Sequence, residues 1–433
     1  HRFVVDLAAR VLPVFTNPAN TRWGAADVFG SDLYRALEVL EQEAETGDPV
    51  EAYAVTVDAL TAMRRVAAQA RHDPEEVMED IFSALRDLHP QLAQRADVPA
   101  GELVDWMMRF QFAAAESVVL LDPVDYAPAL GELGMAAYRR RLKEHREALE
   151  RVSDESEDAQ FILNWQAQRL AVLDRDVDAV IETHLGDRTC ADQFFGTALA
   201  LEEIGEPDLA ILWAQRGAYF DLSADARDAG TLWCLMMAGH TPEEVLDGRL
   251  AMLRRWPDWD SALALFEVAG PAWPQYQDEV IRRLSADPGE AAQFALEVLG
   301  DVQLAWDLAH DLGLQDLSLW ADLAAAYMAV DEVAVLPVFE WLVYAVLRES
   351  QVKAYRVAAQ LLTTMREIAA GTEHQAYVED LIARLPGEFP RRSLMVQAFR
   401  EEGLNGPLRP RVIAEPAPVV EPVEPAVVQL TLD

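Results

Sequence analysis

Cysteine is almost missing from this chain, with only Cys190 and Cys234 among 433 residues. Two cysteines exclude a disulfide framework and any all-cysteine metal site, and they suit a reducing cytoplasm. Basic residues are scarce too: 36 stand against 74 acidic ones, for a formal charge of −38. A surface that acidic repels phosphate backbones, which argues against direct nucleic-acid binding by this chain alone. Its plainest meaning is solubility or a salt-adapted proteome. Long apolar runs are lacking. The most apolar stretch, 335–347, carries Pro337 and Glu340 and is too short to span a bilayer, so no membrane is expected as a partner. Residues 2–15 place Asp6 and Arg10 inside their apolar pattern and do not read as a secretion signal. The chain begins at His1 rather than Met, so a further segment upstream is expected.

The common signatures of chemistry are missing as well. The sequence has no GxxxxGK[ST] phosphate loop, no GxGxxG after a strand, no HExxH and no GxSxG. The eight histidines are scattered. His72 lies near Glu75 and Glu76, but Asp73-Pro74 already accounts for those acids as helix-start residues. His184 and Cys190 flank a loop-like GDRT stretch that offers no second ligand pair. No catalytic residue, metal ligand or cofactor is therefore assigned, and the expectation is a protein that is not an enzyme.

Helix punctuation, in contrast, recurs throughout. Asp73-Pro74-Glu75-Glu76 supplies a cap, a proline at the first helical position and acids over the positive helix end. Thr241-Pro242-Glu243-Glu244 repeats the device with capping-box spacing, and Asp287-Pro288-Gly289-Glu290 does so more weakly. Between such starts the period is helical. Leu317, Trp320, Ala324 and Tyr327 share one face; Ala354, Val357, Ala358, Leu361, Met365 and Ile368 form another stripe, ending before Gly371. Alternating β-branched strands are absent, so the expected fold is all-α.

Residues 191–220 define the architecture. Phe194, Ala198 and Leu201, then Gly205, then Ala210, Ala214 and Gly217 fall where a tetratricopeptide-type hairpin needs large and small side chains. The expected fold is an α-solenoid of antiparallel helix hairpins, an architecture that binds rather than catalyses. The organisation expected is an N-terminal helical region over 1–151, an acidic linker over 152–158, a repeat region over 159–404 and a disordered tail over 405–433. The tail is rich in Pro, Val and Glu and has no aromatic residue with which to build a core.

Candidate contact residues are few. Trp213, Trp233, Trp306, Trp320 and Trp341 sit at helical spacing among apolar neighbours and read as packing between layers. Trp256 and Trp259, in RRWPDWD, fall in an expected inter-helix loop and are the better candidates for an exposed partner contact. The one notable basic cluster, Arg139, Arg140, Arg141, Lys143 and Arg146, places Arg139, Lys143 and Arg146 on one helical face. Those three are candidates for a phosphate or partner contact, against a plain reading as a solvated face paired with Glu144, Glu147 and Glu150. The last five residues, Gln429 to Asp433, resemble the bacterial sliding-clamp-binding peptide. Gln429 would bond at a pocket rim while Leu430 and Leu432 bury in an apolar groove, although Asp433 stands where that pattern prefers a bulky apolar residue.

Three segments together resemble the long helical region of actinobacterial SWIM zinc-finger proteins: DYAPALGELGMAAYRRRL (125–142), LEEIGEPDLAILWAQRGAYF (201–220) and AYVEDLIARLPGEFPRRSLMVQAFREEGL (376–404). The family's own zinc module is a CxC…CxH site, and no such cysteines occur here, so no metal residue carries over. Relatives are strongly basic near 385–395, where this chain keeps Arg391 and Arg392. The resemblance implies a scaffold in DNA-linked complexes, beside a helicase of Swi2/Snf2 type. Four functional readings are open on these residues: a scaffold holding a protein partner in DNA repair or replication, a clamp-tethered accessory protein, an enzyme whose site is assembled from distant helices, and an acidic mimic of nucleic acid.

Overall fold

The structure, a computed structural model, describes residues 6–16, 26–69, 75–112, 118–152, 157–349 and 351–405. Among the described residues there are 21 α-helices and no β-strand. The fold is an all-α solenoid of antiparallel helix hairpins, in which each helix packs mainly on neighbours one or two places away in sequence. The chain divides into two compact units, 1–248 and 249–433.

The first unit holds α1 (Leu7–Thr16), α2 (Ala26–Thr46), α3 (Pro49–Gln69), α4 (Glu75–Arg95), α5 (Ala100–Phe112) and α6 (Pro123–Val152). After them come α7 (Glu157–Asp174), α8 (Val177–Leu185), α9 (Ala191–Glu203), α10 (Pro207–Ala218) and α11 (Ala224–Met236). Helix α6 is two helices joined at a kink, where Gly131 has φ 59° and ψ −175°. Helix α7 packs on α6, and Leu163 joins the same core as Leu142 and Tyr138.

Buried polar side chains lie inside this first core. His89 of α4 is fully buried, its ring stacked on Trp106 at 4.1 Å and tilted against Tyr53 at 4.9 Å. Its Nδ1 lies 2.9 Å from the Tyr126 hydroxyl, while Nε2 has no hydrogen-bond partner among the described residues. Burial pushes the His89 pKa down to about 3, so the ring is neutral at physiological pH. Gln166 of α7 donates to the Gln111 side chain at 2.6 Å and to the Leu121 carbonyl at 2.9 Å; Gln111 in turn donates to the Tyr138 hydroxyl at 2.9 Å. This amide chain ties α5, α6 and α7 together where an unpaired group would cost about 1–3 kcal/mol.

The repeat hairpin forms as its small residues require. Ala198 and Leu201 of α9 and Ala210 and Ala214 of α10 are fully buried. Gly205 turns the chain with φ 85°, a left-handed conformation that glycine adopts without a Cβ clash. At Gly217 a Cβ would sit 2.8 Å from the Ala229 Cβ of α11 and 2.9 Å from the Phe194 Cβ of α9. Three helices therefore meet there at backbone distance.

Helix α12 spans Pro242–Arg255. Its capping box is made: the Glu244 N–H donates to Thr241 Oγ1 at 3.4 Å, and the Thr241 hydroxyl and N–H both donate to the Glu244 carboxylate. The second unit continues with α13 (Trp259–Ala269), α14 (Gln277–Leu284), α15 (Pro288–Gln293), α16 (Val302–Asp311) and α17 (Leu317–Tyr327). It ends with α18 (Leu336–Arg348), α19 (Val352–Ala369), α20 (Gln375–Glu388) and α21 (Ser393–Glu401). Asp287 caps α15 by accepting from the Gly289 and Glu290 amides.

In this second core Trp306 stacks on Tyr327 at 4.2 Å, and the Trp320 indole N–H donates to the Leu314 carbonyl at 2.8 Å. Trp213, Trp233, Trp306 and Trp320 are all buried, as packing between layers requires, but Trp341 is 39% exposed. Three other pattern-based positions differ: Leu317 and Val357 are exposed, and Leu361 is half-buried. Ala354, Ala358, Met365 and Ile368 are buried as expected, and the buried stripe of α19 extends to Tyr355, Ala359 and Leu362, because α18, α20 and α21 all pack on this helix. Arg366 closes the far end, donating to the carbonyls of Gly403 at 3.1 Å and Leu404 at 2.9 Å and to Glu379 at 2.9 Å.

Candidate interaction surface

The basic cluster of α6 is largely engaged in helix–helix contacts. Arg139 pairs with Asp174 of α7 at 2.7 Å, and Arg146 donates to the Leu163 carbonyl at 3.1 Å. Arg141 reaches Asp105 of α5 at 3.3 Å, and Arg140 lies 3.8 Å from Glu144. Lys143, on the face shared with Arg139 and Arg146, is exposed.

Trp256 and Trp259 part company. Trp256 stays in the turn between α12 and α13, half-buried, with the Arg255 guanidinium 5.3 Å from its ring centroid. Trp259 is the first residue of α13 and stands edge-on to the fully buried Phe294 at 5.6 Å. Phe294 also meets Trp273 and Phe266, so Trp259 belongs to an aromatic cluster. Nearby, Glu279 accepts from both Arg254 at 2.8 Å and Arg283 at 2.9 Å. The Arg254 hydrogen bond, against a smaller effect of burial, holds that carboxyl at about 2.

The other polar candidates are locally satisfied. His184 Nδ1 lies 2.9 Å from the Val180 carbonyl one turn earlier, and burial lowers its pKa. Cys190 is the N-cap of α9, in a capping box with Gln193. Among the described residues no group of three or more His, Cys, Asp or Glu could hold a metal ion. His72 and Gln429, Leu430 and Leu432 lie outside the described residues, as do 406–433 of the tail.

One further polar cluster joins the helices of the first unit. Arg169 of α7 bonds Asp122 at 2.7 Å and both oxygens of Glu203 at 2.7 Å. The Glu203 bond raises the arginine's pKa and lowers that of Glu203, whereas burial keeps Asp122 above the usual carboxylate range despite the same arginine. The two directions are compatible: Asp122 is the more deeply enclosed partner, and desolvation there outweighs the attraction. One cation between two carboxylates clamps α7 to α9 and to the chain entering α6.

The surface that stands out is apolar. Helix α10 ends in a turn that presents Tyr219, Phe220 and Leu222 to solvent, 51%, 40% and 69% exposed. The two aromatics are anchored from behind: Phe220 lies 5.2 Å from Phe194, which lies 5.9 Å from Trp213, and Tyr219 lies 6.2 Å from Trp233. Leu212 of α10, Leu199 of α9 and Leu235 of α11 are also exposed. The Asp221 side chain fixes the turn by accepting from the Ser223 amide at 2.9 Å, and Ser223 caps α11. Asp221, Asp225 and Asp228 lie exposed around it. The hairpin pattern places Phe220 at its end and gives the turn beyond it no role. The signal for the turn is the apolar run AYFDL at a helix end, where polar residues are the norm.

Comparisons with known proteins identify no family. No protein-family model matches the chain, and no curated protein matches it. Among solved structures, one chain similar over 92% of this protein and 94% of its own length is described as a "circular tandem repeat protein with novel repeat topology and enhanced subunit contact surfaces". It is 14% identical with a TM-score of 0.17, too weak a superposition to bear on fold or function. The architecture stands on the helices themselves.

Proposed function

We propose that the chain is a non-enzymatic helical-repeat scaffold that holds a protein partner through the turn at 219–222 and the exposed leucines beside it. The observation that carries this reading is the exposure of Tyr219, Phe220 and Leu222 together in one turn, with Leu199, Leu212 and Leu235 exposed on α9, α10 and α11. Apolar side chains held rigid from behind lose little freedom on binding, which is what an interface anchor needs. The gathered charges support it too, since Arg169, Asp122 and Glu203 neutralise one another and join helices. Segments 125–142, 201–220 and 376–404, through their SWIM-family resemblance, favour a partner in a DNA repair or replication complex, such as a Swi2/Snf2-type helicase. The terminal Gln429, Leu430 and Leu432 favour a second attachment, to a sliding clamp.

The test is affinity capture from the native host with wild-type protein and with Phe220→Asp and Leu222→Asp variants of unchanged helicity. A partner held by the wild type and lost by both variants supports the reading. A partner retained equally by both sinks the assignment to this turn. For the clamp, a labelled 420–433 peptide should bind purified clamp in fluorescence polarisation and lose binding when Gln429 and Leu430 become alanine.

A further inference from the structure

We propose that the C-terminal segment 406–433 straps back in cis onto the exposed face of α19 and α21. This goes beyond the partner reading above and does not depend on it. In a chain of charge −38, these two helices are a local exception. From Ser350 to Arg366 and from Phe389 to Arg400 there is no acidic residue, the acids of α19 and α21 being Glu367 and Glu401 in their last turns, while Lys353, Arg356, Arg391 and Arg400 are exposed. Val352 and Leu394 add exposed apolar side chains to the same pair of helices.

The two helices run side by side in the same direction. Arg392, just before α21, lies over Tyr355 near the start of α19, and Leu404, just after α21, is held by Arg366 near its end. The chain therefore leaves the described structure from a fixed point beside this face. Beyond Arg409 and Arg411, the C-terminal segment complements that face in charge and polarity. Residues 412–433 carry Glu415, Glu421, Glu424 and Asp433, no basic residue, and nine Val, Ile or Leu side chains. Pro416, Pro418, Pro422 and Pro425 fix φ along the segment, lowering the entropy lost on docking.

The reach is sufficient. From Arg366 back to Lys353 is about 20 Å along a helix. The ten residues from Asn405 to Glu415 span up to about 33 Å when extended, so every acid of the segment can meet Lys353 or Arg356. Tethering holds the local concentration in the millimolar range, where modest contacts suffice.

The sequence supplies its own probe, because Lys143 and Lys353 are its only lysines. Zero-length carbodiimide coupling of the full-length protein, read by peptide mass spectrometry, should join Lys353 to Glu415, Glu421 or Glu424 within one molecule. The yield should be unchanged on dilution. It should fall about fivefold or more in high salt and in an Arg356→Glu, Arg400→Glu variant of unchanged helicity. The proposal is overturned if Lys353 yields no tail product, if the product scales with protein concentration, or if Lys143 couples to the tail as often.

Discussion

His89 should make the first unit acid-sensitive in a way that one substitution isolates. Its pKa falls from 6.5 to about 3 because the ring is buried among Tyr53, Trp106 and Tyr126 without a counter-charge. A depressed base binds its proton in the unfolded chain before it does so in the folded one. The stabilisation is therefore complete above pH 6.5 and is lost as pH falls from 6.5 toward 3. At about 1.4 kcal/mol per pH unit, the loss between pH 7 and pH 5 is roughly 2 kcal/mol from this residue alone. Carboxylates titrate in the same range, so the measurement must be a difference. In His89→Phe the ring stack on Trp106 remains but the titrating group is gone, and the Tyr126 hydroxyl loses its partner at a cost of about 1–3 kcal/mol. Amide hydrogen exchange in α4, read at pH 7 and pH 5 after correction for intrinsic rates, should show the wild type more protected at pH 7. The gap to His89→Phe should shrink by about 2 kcal/mol at pH 5. A gap that stays constant with pH would refute the reasoning.

Gly217→Ala should destabilise the α9–α11 layer by about 1–3 kcal/mol through its close contacts, whereas Gly196→Ala, with open space around its Cβ, should be neutral or stabilising by up to about 1 kcal/mol; thermal melts of the two variants decide. Arg169→Met leaves Asp122 enclosed without a cation and should cost about 3 kcal/mol, and adding Asp122→Asn should recover part of it in the same melt. Thr241→Ala removes the cap of α12 and should cost about 1 kcal/mol, seen as faster exchange at the amides of its first turn. Arg366→Ala should speed exchange in α21 while leaving the first unit unchanged.

What the sequence made legible was what each residue signals on its own. Small residues at 198, 210, 214 and 217 and a glycine at 205 specify a close helix pair wherever they occur, and the structure uses each for that purpose. The caps at Thr241 and Asp287 are equally local. Properties that depend on what lies across the core were not legible. The α19 stripe leaves out Val357 and takes in Tyr355 because three helices press on that one, and a single-helix pattern cannot show which of two flanks receives them. His89 carried no signal, since burial of one histidine among eight depends on rings from three other helices. The apolar turn at 219–222 was hidden by its position, at the end of a pattern that already explained Phe194 and Trp213.

The charge pattern finally bears on how a partner would arrive. Arginines in both units join neighbouring helices: Arg139 to Asp174, Arg169 to Asp122 and Glu203, Arg254 to Glu279, Arg384 to Glu340. Cations engaged in this way leave the acidic excess to the outside, and Asp221, Asp225 and Asp228 surround the apolar turn. A partner that fits this surface carries an apolar centre within a basic rim. Long-range attraction of that kind accelerates encounter, whereas the apolar contact governs how long the complex lasts. Raising salt should therefore slow association while leaving dissociation nearly unchanged. Leu222→Ala should do the reverse, speeding dissociation about tenfold for a loss near 1.4 kcal/mol. Both rates are readable by surface plasmon resonance on the captured complex. A salt effect confined to dissociation would place the charges inside the interface and remove the apolar turn from its centre.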